Sequence, residues 1–327
     1  MTDLAEQISG DFNAFAGGVT PNVGNAQAPL QAKAWLANQN NSTPSFSLNA
    51  NCWANGYAPT NFGSRAVFNP WAGNCDGPTL IHAQFGICAA HFGHPTSGTC
   101  IFLAPDGSLV TATVSGGMQI GTTDIWLVYF ATPVAGITPA LLPPTNLTDY
   151  LALPVVSVTV KADFTNPALE VVTQDLVGLD GNATVGAPTN ATRLALYEPI
   201  ITGASGSPLY LVVAGQEVLL GTWLSPNFVP LLYENLVALE SAASTLAGSA
   251  ITFSTLDLSS YSMLPSAVTS FAPSQPSLPP GGGNVTLAWD TFNAASVNIS
   301  DVGNNLPASG TAVVAVTATK TFTLSTN

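Results

Sequence analysis

Charged side chains are scarce in this chain of 327 residues, of which they make up 7%, against roughly 25% in typical soluble proteins. Lysine and arginine together number five. Five cations are too few for a basic patch, which argues against binding to nucleic acids or to anionic membrane surfaces. Because 46% of the residues are hydrophobic, the chain is not disordered. Its surface must be covered by Ser, Thr, Asn, Gln and Gly, as in an extracellular protein or in a subunit that associates with copies of itself.

Long apolar runs are also absent. The most apolar stretch, Leu209 to Leu224, is interrupted by Gly215, Gln216 and Glu217, so no membrane-inserted helix is expected. The N-terminus, Met1 to Glu6, lacks the basic start and apolar core of a secretory signal. We therefore expect that a signal was removed or that export takes another route, such as release of a virion by lysis.

The chain has only four cysteines, Cys52, Cys75, Cys88 and Cys100. None of their spacings matches a zinc knuckle, and no metal or cofactor is expected. The alternatives are two disulfides or four buried thiols, and we favour disulfides. Of the three possible connectivities, Cys52–Cys75 with Cys88–Cys100 is the least strained.

Residues 1–45 are predicted to form a helical leader. Leu4, Ile8, Phe12 and Phe15 recur at helical spacing. Two interpretations stay open for this segment: it packs onto the main domain, or it is a docking arm to neighbouring subunits.

Residues 46–262 have the pattern of many short strands separated by turns. Examples are Thr192 to Tyr197, Leu209 to Val213 and Glu217 to Trp223. One helix is predicted within Pro230 to Leu246. This pattern indicates a mainly β domain, a sandwich or barrel, that ends in a helix.

Residues 263–327 follow a proline- and glycine-rich break. Ser270 to Pro273, Val285 to Trp289 and Thr321 to Leu324 together resemble the small Ig-like modules appended to bacterial surface and phage proteins. The segment is short for an Ig sandwich, so we expect its final edge strand to be missing and one sheet edge to be open to strand addition. Trp289 is expected in the core rather than as an exposed platform for a carbohydrate.

Three motifs carry chemistry: Cys88-Ala89-Ala90-His91, Thr123-Asp124-Ile125 and Gly203-Ala204-Ser205-Gly206-Ser207-Pro208. A histidine, an aspartate and a serine between glycines, in this order, resemble the trypsin/chymotrypsin-like serine protease superfamily, over about residues 75–240. The resemblance implies a chymotrypsin-like double β-barrel with a C-terminal helix. It also implies that His91 is the general base, Asp124 its orienting carboxylate and Ser205 the nucleophile. The N–H groups of Gly203 and Ser205 would form the oxyanion hole.

Rival residues exist for two of these roles. His82 is expected to be a strand residue, and His94 a solvent-side neighbour of His91 or, with it, a metal pair. Asp106 is the alternative carboxylate, in an exposed Pro-Asp-Gly turn.

The sequence departs from the family's pattern at Ala204, where members activated by cleavage have an aspartate. An active enzyme would then need no such activation. By the same resemblance, Pro199, Thr222, Trp223 and Leu224 would line the substrate pocket, which indicates an apolar or small side chain in the substrate.

Two functions follow from the sequence. The first is a serine endopeptidase that cleaves peptide substrates in an extracellular or virion-associated assembly. The second is a catalytically inactive structural subunit of a phage virion, surface layer or filament. In both, we expect the chain to form a homo-oligomer or to associate with other assembly subunits.

Overall fold

The computed structural model describes residues 2–19, 33–68, 77–92, 96–144, 153–161, 169–226, 228–262, 267–292, 296–307 and 309–326. These residues form two compact units. One unit contains Gln7–Asp257, and the other contains Met1–Glu6 with Leu258–Asn327. Within the ranges described, no helix is long and apolar enough to cross a lipid bilayer.

The elements before the barrels are β1 (Thr2–Asp3), α1 (Leu4–Val19) and a hairpin of β2 (Leu36–Asn40) and β3 (Ser45–Leu48). Ile8 and Phe12 of α1 are buried. The Phe12 ring lies 5.7 Å from that of Trp53 and 5.4 Å from that of Tyr57, measured between centroids. The apolar face of this helix is therefore packed within its own chain. The helical leader predicted up to residue 45 is wrong at its end, because residues 36–48 form the β2–β3 hairpin, and docking of the leader to other subunits stays a prediction.

The first barrel is a six-stranded antiparallel sheet with the order β4-β7-β8-β9-β6-β5. Its strands are β4 (Ala66–Phe68), β5 (Thr79–His82), β6 (Phe85–Ala89), β7 (Gly98–Leu103), β8 (Leu109–Gln119) and β9 (Ile125–Phe130). The sheet curls until its outer strands meet. The N–H of Ala66 donates to the carbonyl of Pro78 at 3.0 Å, and the N–H of Leu80 donates to the carbonyl of Ser64 at 2.7 Å. Curling of this kind removes exposed edges.

The second barrel has the strand order β14-β13-β10-β11-β12-β15. Its strands are β10 (Pro154–Val160), β11 (Leu169–Asp180), β12 (Asn182–Gly186), β13 (Pro208–Val213), β14 (Gln216–Thr222) and β15 (Phe228–Pro230). The chain just after β15 meets β14, since the N–H of Leu232 donates to the carbonyl of Leu220 at 2.9 Å. Every residue of β10 and β13 is buried.

A short helix, α2 (Ala191–Leu194), lies where the sequence predicted a strand over Thr192 to Tyr197. That prediction is wrong because Asn190 caps a helix. Its side chain accepts hydrogen bonds from the N–H groups of Thr192 and Arg193, as N-cap asparagines do.

Both barrels have the same strand order. When the six strands of each barrel are numbered along the chain, the order around each barrel is 1-2-3-6-5-4. After the second barrel, α3 (Leu236–Ala247) follows a 3-10 turn at Tyr233–Asn235. Two such barrels followed by a helix confirm the predicted chymotrypsin-like double-barrel fold.

The C-terminal unit has two three-stranded sheets, with the orders β17-β18-β21 and β20-β19-β22. After β16 (Tyr261–Ser262), which pairs with β1, come β17 (Ala267–Pro273), β18 (Gly283–Phe292), β19 (Val297–Ile299), β20 (Gly303–Leu306), β21 (Gly310–Val316) and β22 (Leu324–Thr326). Trp289 is buried among Leu287, Val297 and Ile299, and its indole N–H donates to the carbonyl of Pro307 at 2.9 Å. It is a core residue, as predicted, while the Ig-like assignment and the domain boundaries stay predictions.

The predicted disulfides are corrected by the structure. Cys52, Cys88 and Cys100 are buried thiols, and Cys75 lies outside the described residues. Cys88 on β6 pairs in register with Trp126 of β9, whereas Cys100 on β7 pairs with Ala112 of β8. The two cysteines therefore lie on strands that are not neighbours in the sheet. Burial raises the pKa of the Cys100 thiol to about 12.

Candidate active site

His91 and Asp124 are brought together by two paired strands of the first barrel. His91 lies in the 3-10 turn Ala90–Phe92 that follows β6, and Asp124 directly precedes β9. Ala89 and Ile125, the adjoining ends of these strands, are partners in the sheet. The N–H of Ala90 also donates to the carbonyl of Asp124 at 3.1 Å. Sheet register therefore fixes the backbone on both sides of the pair.

The carboxylate of Asp124 binds His91 through both of its oxygens. Oδ1 accepts the backbone N–H of His91 at 2.8 Å, and Oδ2 lies 2.8 Å from the ring atom Nδ1. The side chain of Asp124 is 12% exposed and that of His91 is 41% exposed. A carboxylate in this position favours the tautomer with the proton on Nδ1, in which Nε2 is the atom that can accept a proton.

Ser205 lies in a tight turn immediately before β13. Gly203 has a φ of 99° and Gly206 a φ of 86°, backbone conformations that a residue with a Cβ rarely adopts. The N–H of Ala204 donates to the carbonyl of Ile201 at 3.1 Å, and that of Ser207 to the carbonyl of Ala204 at 3.0 Å. Among the described residues, the N–H groups of Gly203 and Ser205 have no acceptor, as an oxyanion hole requires before substrate binds.

The hydroxyl of Ser205 donates to the carbonyl of Leu224 at 3.5 Å. This distance is at the long limit for a hydrogen bond of a hydroxyl, so the bond is weak. This contact could not be predicted from the sequence, because the acceptor is a backbone group and carries no residue-type signal. The predicted meeting of Ser205 with His91 stays a prediction.

The turn that carries Ser205 is fixed to the end of β14. The N–H of Gly206 donates to the carbonyl of Trp223 at 2.8 Å, and the N–H of Trp223 donates to the carbonyl of Ser207 at 2.9 Å. The Trp223 side chain is fully buried, with its indole N–H 3.0 Å from Ser157 Oγ. Trp223 can therefore contact a substrate only through its backbone.

The other predicted pocket residues divide by exposure. Thr222 is buried within β14, whereas Pro199 is exposed and Leu224 is 37% exposed. Phe228, which is 46% exposed, faces Leu224 across a tight turn, since the N–H of Leu224 donates to the carbonyl of Phe228 at 3.0 Å. The surface beside Ser205 therefore has apolar side chains and no charged one among the residues predicted to line it.

The rival residues have other environments. His82 ends β5, accepts the N–H of Gln84 at Nδ1 (3.2 Å) and lies against the rings of Phe85 and Phe253. Burial lowers its pKa. Asp106 is an exposed turn residue that accepts hydrogen bonds from Ser108. His94 lies outside the described residues.

Ala204, the residue next to Ser205, is completely buried. A carboxylate at this position would need a buried cationic partner. The methyl group of Ala204 needs no charged partner, so this turn can be buried without an ion pair.

The sequence did not predict a buried polar cluster around Glu217, at the start of β14. The Glu217 carboxylate accepts hydrogen bonds from the hydroxyl of Thr60, the N–H of Phe62 (2.7 Å) and the hydroxyl of Ser64 (2.8 Å). Ser64 Oγ also lies 2.9 Å from the hydroxyl of Tyr210. Burial raises the pKa of Glu217, and the three hydrogen bonds oppose that rise. This cluster joins the segment before the first barrel to a strand of the second.

Comparisons with known proteins give similarity of structure only. No protein-family profile and no curated sequence matches the chain. One similar solved structure is neuropsin, a serine protease expressed in the limbic system of mouse brain, with 14% identity and a TM-score of 0.43 over 57% of this chain and 96% of that one. Another is kallikrein-related peptidase 10 in complex with Zn²⁺, with 14% identity and a TM-score of 0.40 over 59% of this chain and 98% of that one.

Proposed function

We propose that this protein is a serine hydrolase that cleaves peptide bonds with Ser205, His91 and Asp124. The observation that carries the proposal is the double hydrogen bond of Asp124 to the backbone and the ring of His91. A carboxylate that fixes both the position and the tautomer of an imidazole is the second half of a Ser/His/Asp triad. The Gly203–Gly206 turn supplies a serine with two backbone donors next to it.

In the proposed reaction, Nε2 of His91 takes the proton of Ser205 Oγ while this oxygen attacks the carbonyl carbon of the substrate. The carbonyl oxygen becomes an oxyanion and is bound by the N–H groups of Gly203 and Ser205. Asp124 stabilises the imidazolium, which then gives its proton to the leaving amine as the C–N bond breaks. Water, deprotonated by His91, hydrolyses the acyl-enzyme and regenerates Ser205.

The contact of Ser205 with Leu224 is compatible with this reaction. At 3.5 Å it is weaker than the bond that a hydroxyl makes to an imidazole nitrogen at the usual 2.6–3.2 Å. Turning Oγ toward His91 therefore loses little free energy. Catalytic hydrogen bonds are often long before a substrate is bound.

We infer that the preferred substrate has an apolar side chain next to the bond that is cleaved. Leu224 and Phe228 are partly exposed apolar residues at the turn that Ser205 contacts. Pro199 and Thr222 add no charge. A peptide with a basic or acidic side chain at this place would lose hydration without gaining a partner.

The test is labelling by a fluorophosphonate probe, which reacts with activated serines. We expect wild type to be labelled at Ser205, and Ser205→Ala to abolish labelling. The matched control is Ser225→Ala, in the neighbouring turn, where the backbone of Ser225 bonds to that of Phe228; this variant should be labelled like wild type. Labelling that persists in Ser205→Ala, or its absence in folded wild type, would contradict the proposal.

A second candidate function is that of a structural subunit in an extracellular or virion-associated assembly. It is supported by the placement of the few cations. Lys33, Arg65 and Arg193 are buried; Lys33 pairs with Glu198 at 2.6 Å and Arg193 with Asp175 at 2.8 Å. Of the five lysine and arginine residues, Lys161 and Lys320 are therefore the two that are not buried. Because charged residues make up only 7% of the chain, a neighbouring subunit that covers its surface has few charges to desolvate. The net charge of -13 is the electrostatic repulsion that such contacts must overcome.

A further inference from the structure

The two three-stranded sheets of the C-terminal unit have four edge strands in the described residues: β17 and β21 in one sheet, β20 and β22 in the other. Natural proteins protect such edges by bulges, prolines, charged residues or short strands, because unpaired N–H and C=O groups accept another strand.

Three of the edges carry such protection. β17 has a register shift between Val268 and Ser270 and ends at Pro273. β20 has four residues and contains Asn305 with a φ of 53°. β22 has three residues.

The fourth edge, β21, has none of these features. Its seven residues, Gly310–Val316, include no proline and no charged side chain. They pair with β18 in unbroken register from Gly310 to Val316. Along the ranges that the structure describes, no strand pairs with the other side of β21.

The surroundings of β21 are almost neutral. From residue 258 to 327 the charged residues are Asp290, Asp301 and Lys320, and Lys320 lies 3.4 Å from Asp301. Neither a positive nor a negative partner strand is therefore favoured by charge, and two copies of β21 bring no like charges together within the paired strands. Val313, the middle residue of the strand, is 67% exposed.

We propose that β21 pairs antiparallel with β21 of a second copy of this chain, across a twofold axis at Val313. Because Val313 is the midpoint of Gly310–Val316, this register aligns all seven residues of both strands. It joins two three-stranded sheets into one of six strands and brings the two exposed valines together. Interfaces of this self-complementary kind are typical of symmetric dimers. The inference names a surface for the proposed assembly and is independent of the chemistry at Ser205.

The first test is the mass of the full chain in solution, measured by sedimentation equilibrium over a range of concentrations. We expect a monomer–dimer equilibrium. In Val313→Lys the dissociation constant of the dimer should rise about tenfold or more, because two lysines would face each other at the axis. The control is Val268→Lys on β17, the protected edge of the same sheet, which should leave the equilibrium unchanged. Ala315→Lys, also exposed on β21, provides a second variant if Val313→Lys does not fold.

A chain that stays monomeric at every concentration would overturn the proposal, and so would equal weakening by Val313→Lys and Val268→Lys. In the first case the edge is available to a strand of another protein instead.

The second test is cross-linking. Residues opposite each other on antiparallel strands have Cα atoms about 4.5–5.5 Å apart, within the range of a disulfide. Val313→Cys should therefore form a disulfide-linked dimer on mild oxidation, while wild type and Val268→Cys should not. Failure of Val313→Cys to cross-link in a chain that dimerises would place the interface elsewhere and overturn the proposal. Fluorophosphonate labelling of the same samples reports separately on Ser205.

Discussion

At the scale of single residues, Asp124 makes the contacts with the most specific chemical consequence. One oxygen holds the backbone of His91 and the other holds its ring, so a single side chain sets the position and the tautomer of this imidazole. The sequence predicted both residues. It could not predict the additional backbone contact, which depends on the 3-10 turn that His91 occupies.

Asp124→Asn tests this role. An asparagine amide group at the position of Oδ2 would donate to Nδ1 and force the proton onto Nε2, which then cannot accept the proton of Ser205. We expect the rate of fluorophosphonate labelling to fall by a factor on the order of 10⁴. Rates are to be measured with folded protein of matched concentration.

The control is Asp106→Asn, in the exposed turn that the sequence offered as the alternative carboxylate. Its contacts are with Ser108, so its labelling rate should equal that of wild type. An equal loss in both variants would mean that Asp124 has no special role.

At the scale of elements, strand pairing positions the site. β6 and β9 bring His91 to Asp124, and the end of β14 holds the turn of Ser205 through Trp223 and Gly206. The second barrel also depends on close approach of β14 and β15. At Gly221, an added Cβ would clash with the carbonyl oxygen of Pro230 and lie 2.6 Å from Cγ1 of Val229.

Gly221→Ala should therefore lower the free energy of unfolding by about 3 kcal/mol, the upper end of the range for overpacked positions. Backbone at the clash must move, and the pairing of β14 with the Ser205 turn moves with it. Urea denaturation followed by circular dichroism measures the change.

Gly116→Ala on β8 is the matched control, since its nearest neighbour would be Cδ2 of Leu246 at 3.6 Å, an ordinary contact distance. We expect a change of less than about 1 kcal/mol. If the two variants had similar free energies of unfolding, β14 and β15 could move apart without a loss of stability, which would contradict the prediction.

At the scale of the whole molecule, the barrel unit is tied together by polar contacts that span long stretches of sequence. Glu217 of the second barrel binds Thr60, Phe62 and Ser64, which precede the first. Because burial raises its pKa above the ordinary 4.5, the folded chain binds the proton of Glu217 more tightly than the unfolded chain does. The resulting stability is fully present below pH 4.5 and is lost as the pH rises through the folded-state pKa.

Glu217→Gln removes this titration. We expect the difference in unfolding free energy, wild type minus variant, to decrease as the pH rises from 4.5, with a slope of at most about 1.4 kcal/mol per pH unit. Denaturant titrations at a series of pH values give this difference. A difference that does not change with pH for Glu217→Gln would contradict the role of burial.

Local pattern was sufficient for most of the strands, whereas the roles of the site residues stay predictions. The predicted strand Leu209 to Val213 is found as Pro208–Val213, and the helix predicted within Pro230 to Leu246 is found as Leu236–Ala247. The strand predicted over Thr192 to Tyr197 failed because the cap made by Asn190 outweighs the apolar alternation.

By itself the sequence determined the class of fold, the scarcity of surface charge and the three motifs, because these follow from turn residues, hydrophobic period and composition. Only the tertiary structure decided that Cys88 and Cys100 lie on strands that do not pair, that Trp223 is buried, and that Glu217 meets a segment over 150 residues away. The physical reason is that barrel closure selects which distant strands become neighbours, and this choice depends on packing of the whole core rather than on any local pattern.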